Sequence, residues 1–282
     1  MNLEFTSPGK INLYLKVRGK RPDGYHEIET VFWPLDKPLD KIKIEDLPLD
    51  QGILIESSDF SIPCDSKNLC WKAAELYSLE TEIKPDWKIS LEKNIPVAAG
   101  LGGGSGNAAL VLKALNRKYK KLSEENLSEL ALKIGADVPF FLNPSPAIGR
   151  GVGEELLVLS GVDVELPLLI AAPMFPVSAA WAYKNLDISG ERPDSPDDLI
   201  QALRNKDIKT VAIFLFNDLA AALYNKFPLL QMMKDSLLET GALGAEISGS
   251  GPTMFAIYED FIQLASAKKI LSEEYGTSLK LF

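Results

Sequence analysis

Pro96-Val97-Ala98-Ala99-Gly100-Leu101-Gly102-Gly103-Gly104-Ser105-Gly106 carries five glycines in its last seven residues and leads into an apolar helical pattern, Ala108 to Leu115. Upstream, Trp87, Ile89 and Leu91 alternate with Lys88, Ser90 and Glu92, which predicts a strand feeding the glycines. A flexible linker would be bounded by polar residues, whereas this stretch is lodged between a strand and a helix expected to be buried. Without a Cβ, the backbone can approach a ligand closely and take positive φ. Free N–H groups leading into a helix N-terminus then make a cradle for phosphate.

The two commonest owners of such a cradle do not fit. A P-loop needs Gly-x-x-x-x-Gly-Lys-Ser/Thr, and here Gly106-Asn107 follows Ser105, so the lysine is missing. The dinucleotide fingerprint Gly-x-Gly-x-x-Gly meets Ser105 at its last place, and no well-placed acid for a ribose follows about 20 residues on. What stands beside the cradle is Lys10, Asp137 and a second small loop, Ser248-Gly249-Ser250-Gly251-Pro252. Phosphoryl transfer needs little more: positioning, a metal, donors aimed at the developing charge, and a carboxylate for the attacking hydroxyl.

The bulk numbers narrow the class. The chain has 282 residues, enough for one large domain or two ordinary ones, and 46% of them are hydrophobic. A net charge of −9 argues against a general nucleic-acid or anionic-membrane surface, while a local cradle with Mg²⁺ can still hold an anionic small molecule. Two cysteines, Cys64 and Cys70, are too few for a disulfide framework and suggest a reducing compartment. One histidine, His26, excludes a multi-histidine metal site. No basic-then-apolar leader opens the chain, and Leu166 to Tyr183 carries three prolines and reads poorly as a membrane span. A cytoplasmic protein is expected.

Taken in order, residues 3 to 17 read as a strand in which Ile11, Leu13, Leu15 and Val17 share one face and Lys10 and Asn12 the other. Arg21-Pro22-Asp23-Gly24 has turn chemistry, and Tyr25-His26 after it is suited to a flat polar ring, or simply to a strand start. Alternation continues over 41 to 62; Asn68 to Leu79 predicts a helix. Ser123 caps another helix, Gly135 ends it, and Asp137 is placed to cap the turn holding Pro139. Ala147 to Glu155 predicts a strand with a tight turn, and Leu156 to Leu169 a strand, a turn and a buried strand. A helix after Ser178 and a polar loop, Ser189 to Asp198, come next. Helices are expected near 198–204, 208–224 and 226–239, then strands at 245–248 and Met254 to Tyr258, a helix at 259–274 and a last short strand. This mixture suits an α+β sandwich with a boundary near residue 160.

Pro8-Gly9-Lys10-Ile11-Asn12-Leu13, Pro96 to Gly106 and Ser248 to Pro252, in this order, resemble the three separated motifs of the GHMP superfamily of small-molecule kinases. Arg21 to Glu27, Gly135 to Phe140, Gly151-Val152-Gly153-Glu154, Asn68-Leu69 with Lys72-Ala73-Ala74, and Asn217-Asp218-Leu219 bring it closer to one branch. The acceptor in that branch is the cytidine diphosphate ester of methylerythritol, phosphorylated on its 2-hydroxyl in non-mevalonate isoprenoid synthesis. The resemblance implies a two-domain fold: an N-terminal ribosomal protein S5 domain 2-like domain, residues 1–159, and a C-terminal ferredoxin-like domain, residues 160–282. It implies ATP on Pro96 to Gly106, Mg²⁺, and substrate in a cleft between the domains. Asp137 resembles the family's base and Lys10 the cation beside it, orienting Asp137 and offsetting charge. Tyr25 and Tyr183 would sandwich the cytosine, His26 would bond its edge, and Asn12 would touch substrate. Ser105 would contact phosphate or Mg²⁺, and Asn68 and Lys93 would lie near the adenine. No protein group is assigned as a resident metal ligand. One departure is Gly106, where the family usually has a second serine; the backbone N–H groups survive, so altered phosphate contacts rather than inactivity are expected. Two other readings compete: another GHMP kinase, of homoserine or mevalonate type, and a non-catalytic nucleotide sensor, which would have no need of Lys10 or Asp137.

Overall fold

A computed structural model of the chain describes residues 2–187 and 190–282. Its fold is α+β, and by contact the chain divides into two compact units. The first comprises residues 1–10, 34–97 and 102–144; the second comprises 11–33, 98–101 and 145–282. Two long strands, β1 (Asn2–Lys20) and β2 (His26–Asp46), contribute residues to both.

In the first unit the last part of β2 pairs antiparallel with β4 (Trp87–Glu92), Ile42 opposite Leu91 and Ile44 opposite Ile89. β3 (Ile53–Ser57) lies parallel on the other side of β4, with Ile55 opposite Ile89. The alternation that predicts these strands also fixes their faces: Ile42, Ile44, Ile53, Ile55, Trp87, Ile89 and Leu91 are all buried. Helices α1 (Leu69–Thr81), α2 (Gly103–Tyr119), α3 (Glu124–Ile134) and the short α4 (Val138–Leu142) pack on one another. Asn68 and Ser123 cap α1 and α3 with their side chains. Helix α2 begins at Gly103, five residues earlier than the apolar pattern alone indicates, so the glycines form its first turn.

The second unit holds β5 (Ala147–Arg150) and β6 (Glu155–Val158), a hairpin in which β5 pairs with the first part of β2, Val31 opposite Ile148. Further along come β7 (Leu168–Pro173), α5 (Ala179–Lys184), α6 (Asp197–Arg204), α7 (Ile208–Ile213) and β8 (Phe216–Asn217). Then follow α8 (Ala220–Lys226), α9 (Pro228–Glu239), β9 (Gly244–Ile247), β10 (Met254–Ile257), α10 (Phe261–Tyr275) and β11 (Leu279–Leu281). Strands in the order β11-β7-β10-β9 make an antiparallel sheet. Its apolar face and helices α8, α9 and α10 share a core with Leu15, Val17 and Ile28. The helix expected over 208–224 is two helices interrupted by β8, which lies parallel to β1 with Leu15 opposite Asn217. Ser189, the first residue of the expected polar loop, lies outside the described residues. No helix among the described residues is long and apolar enough to cross a membrane.

Candidate active site

The first turn of α2 is prepared for an anion. Gly102 and Gly100 take positive φ, 69° and 79°, conformations that tolerate no ordinary side chain at little cost. The first intrahelical bond runs from Gly106 N to Gly102 O at 2.9 Å, so the N–H groups of Gly103, Gly104 and Ser105 point out of the helix end. No acidic residue occupies this first turn and no side chain caps it. The positive end of the helix dipole is thus left for a ligand.

The glycines are also where neighbours come closest. A Cβ on Gly102 would stand 2.8 Å from the Phe141 ring and 3.3 Å from Lys10 Cε. One on Gly106 would stand 2.6 Å from Ser7 Oγ. Lys10 therefore lies against the cradle, and its ammonium reaches Asp137 Oδ2 at 3.4 Å. The Lys10 side chain is almost fully buried, while that of Asp137 is about one-third exposed, open to a reacting group. Asp137 precedes α4 but makes no capping bond, so its carboxylate is left for the site, with α4 holding it in place through buried Phe140 and Phe141.

The turn into the cradle has its own brace. Asp40 is fully buried, ion-paired with Lys93, and accepts the backbone N–H groups of Asn94 and Ile95 at 2.7 and 2.8 Å. Lys93 and Asn68, expected near an adenine, are both committed: Lys93 to Asp40, and Asn68 to the Cys70 N–H and the Pro63 carbonyl. Phe141, Ser7 and Asp40 were not singled out from the sequence. Only their packing against the glycines marks them, and spacing carries no trace of that.

In the second unit, residues 98–101 of the same stretch are held by the Ser248 loop. Ser248 Oγ donates to Gly100 O at 3.0 Å and Thr253 N–H to Ala99 O at 3.3 Å. His26 and Tyr183 stack, ring centroids 5.0 Å apart and planes 21° from parallel. Tyr25 is 64% exposed beside them in sequence, its backbone N–H held by Asp23 in the predicted turn. Asn12 donates to Thr30 Oγ1 at 2.7 Å. Burial, with the nearby Lys20 charge adding to it, holds the His26 imidazole below its ordinary value. It is neutral at pH 7, with one donor and one acceptor nitrogen.

Comparison with known proteins identifies the family and the fold. The family profile for the GHMP kinases N terminal domain matches residues 68–144, and that for the GHMP kinases C terminal domain matches 199–277. Both parts of a GHMP kinase are therefore present. A relative from Clostridioides difficile (strain 630), named 4-diphosphocytidyl-2-C-methyl-D-erythritol kinase, is 38% identical over 97% of this chain and 92% of its own. One of the same name from Alkaliphilus metalliredigens (strain QYMF) is 40% identical over 97% and 94%. A crystal structure of 4-(cytidine 5'-diphospho)-2C-methyl-D-erythritol kinase superposes with a TM-score of 0.81 at 31% identity, covering 99% of this chain and 97% of that one. Homoserine kinase from Cytophaga hutchinsonii shares the fold, TM-score 0.77 at 19% identity. The chain belongs to the 4-diphosphocytidyl-2-C-methyl-D-erythritol kinase family. It is an ATP-dependent small-molecule kinase that phosphorylates an alcohol.

Proposed function

We propose that the chain transfers the γ-phosphate of ATP to the 2-hydroxyl of 4-(cytidine 5'-diphospho)-2-C-methyl-D-erythritol, a step in non-mevalonate isoprenoid precursor synthesis. The observation that carries the chemistry is the Lys10–Asp137 pair, 3.4 Å apart, with Lys10 Cε packed against Gly102 at the cradle. Residues 96–106 bind the ATP phosphates through backbone N–H groups. Asp137 accepts the hydrogen bond of the acceptor hydroxyl, orients it, and receives its proton as the phosphoryl group leaves ATP. Lys10 holds Asp137 in place and offsets the charge on the transferring group.

Asp137 and Ser105 offer oxygen donors, the chemistry a hard dication takes. Mg²⁺ arriving with ATP would be held beside them and would neutralise charge on the β- and γ-phosphates. On the acceptor side, His26 bonds the cytosine edge, Tyr25 and Tyr183 supply its stacking faces, and Asn12 contacts the polyol. We assign residues 1–159 to the ATP-binding domain and 160–282 to the C-terminal domain, in keeping with the two family profiles on either side, and place the enzyme in the cytoplasm.

The test is Asp137→Ala. It should bind ATP and the cytidylylated acceptor as the parent does, with turnover reduced by roughly 10²- to 10⁴-fold. Normal turnover would remove Asp137 from the mechanism. Phosphorylation of homoserine or mevalonate in preference to the cytidylylated acceptor would overturn the substrate assignment.

A further inference from the structure

Asn217 and Asp218 follow one another at the end of β8, both buried, and their side chains serve different neighbours. The Asn217 amide donates to the carbonyls of Ile247 and Gly249, each at 2.8 Å, and its oxygen accepts the Leu219 N–H at 2.9 Å. Both of its donors are thereby spent on the start of the Ser248 loop. That loop holds Ala99 and Gly100 of the glycine stretch, so closely that a Cβ on Gly100 would stand 2.2 Å from Ser248 O. Asn217 thus reaches the upstream part of the cradle through one intervening loop.

Asp218 looks the other way. Its carboxylate accepts the Val17 N–H at 2.6 Å and Arg192 Nε at 2.8 Å, and a second Arg192 nitrogen closes the fork. Arg192 also donates to the Val17 carbonyl at 2.5 Å. The two following carbonyls continue the attachment: Pro193 O accepts from Lys16, and Asp194 O accepts from Lys16 at 3.2 Å and from Arg18 at 2.9 Å. Residues 192–194 are therefore strapped to β1, the strand that carries Asn12, and α5 presents Tyr183 to His26. With the Arg192 side chain about one-fifth exposed, this ion pair is by itself weak evidence of a contribution to stability. A forked, fully bonded pair instead fixes one position of the segment.

We propose that these neighbours are positioning residues for the two substrates separately: Asn217 for ATP, and Asp218 with Arg192 for the cytidylylated acceptor. Neither touches a reacting atom. Asn217 sets Ala99 and Gly100 through the Ser248 loop; Asp218 and Arg192 set β1 at Val17, on the strand that carries Asn12. The proposal rests on the assignment of the glycine stretch to ATP and of Asn12 and His26 to the acceptor.

The experiment is steady-state kinetics with each substrate varied in turn. Asn217→Ala should raise the KM for ATP roughly tenfold, and Arg192→Ala the KM for the acceptor by a similar factor, each leaving the other KM within about twofold. Asp218→Asn keeps an acceptor for the Val17 N–H but weakens the fork, so it should give a smaller rise in acceptor KM. Combining it with Arg192→Ala should cost no more than Arg192→Ala alone. If Asn217→Ala is recovered unfolded, Asn217→Ser, which retains one donor, should raise the KM for ATP about threefold. Parallel rises in both KM values, or a lower melting temperature with both unchanged, would mark the residues as structural only and overturn the proposal. His26→Ala separates the layers. If it leaves acceptor KM unchanged, the acceptor assignment fails and the Arg192 half falls with it. If it raises acceptor KM while Arg192→Ala does not, the proposal alone fails.

Discussion

A single methyl group distinguishes the glycines of the cradle. At Gly102, φ is +69° and a Cβ would press into the Phe141 ring at 2.8 Å, so Gly102→Ala should cost more than about 1 kcal/mol of stability. Gly104 has no left-handed φ and its Cβ would meet only Leu69 Cδ1 at 3.6 Å, an ordinary contact. Gly104→Ala should therefore stabilise by up to about 1 kcal/mol through helix propensity. Urea denaturation of the pair measures the contrast. Gly106→Ser falls between them. Of the three atoms its Cβ would crowd, Ser7 Oγ at 2.6 Å makes no hydrogen bond among the described residues and can rotate away, but Pro8 O at 3.0 Å belongs to the backbone and Phe141 Cδ1 at 3.3 Å to a buried ring. A loss of about 1 kcal/mol is expected. Composition pointed to a phosphate cradle at these glycines, and the family resemblance implied Lys10 and Asp137 as its companions. What composition could not convey is which glycine is forced, because that depends on Phe141 and Ser7, distant in sequence and close only after folding.

The elements around the cradle owe their placement to braces that periodicity does not register. The turn from β4 into the glycines depends on buried Asp40, which collects Lys93 and two backbone N–H groups. Asp40→Ala leaves a buried ammonium without its partner and should cost about 3 to 5 kcal/mol in denaturant unfolding. Strands with clean alternation, such as β4, were legible to the residue, as was the Ser123 cap of α3; that Asn68 caps α1 was not. Helix α7 and strand β8 were read as one helix because Phe214 to Asn217 is apolar enough for either; pairing with β1 across the chain decides it. At the start of β2, His26 gives a pH signature. Its lowered value means that the imidazole is neutral at pH 7 and stays so below the ordinary 6.5. Protonation would replace its acceptor nitrogen with a second donor. Acceptor kcat/KM should therefore be flat above pH 7 and fall as the pH drops below 6.5, and His26→Ala should abolish that limb.

Over the whole molecule, the ligands can be read one at a time by thermal melting. At about 100 times its Kd, each ligand that binds only the folded chain adds about 2.7 kcal/mol. A non-hydrolysable ATP analogue with Mg²⁺ and the cytidylylated acceptor should each raise the melting temperature, and Gly102→Ala should lose the first shift while keeping the second. The class of molecule was legible from three short motifs in order. The way the chain is shared between two compact units was not, since residues 11–33 join the second unit through partners near the other end of the sequence. That arrangement bears on how the protein is made. Every residue of the first unit has been synthesised by position 144, whereas Val17 must wait for Asp218, 201 residues later. At roughly 5 to 20 residues per second, that is an interval of about 10 to 40 s on the ribosome. Throughout it, the edge of β1 that later meets β8 is unpaired at Leu15 and Val17, so the nascent chain is open to misassociation along that strand.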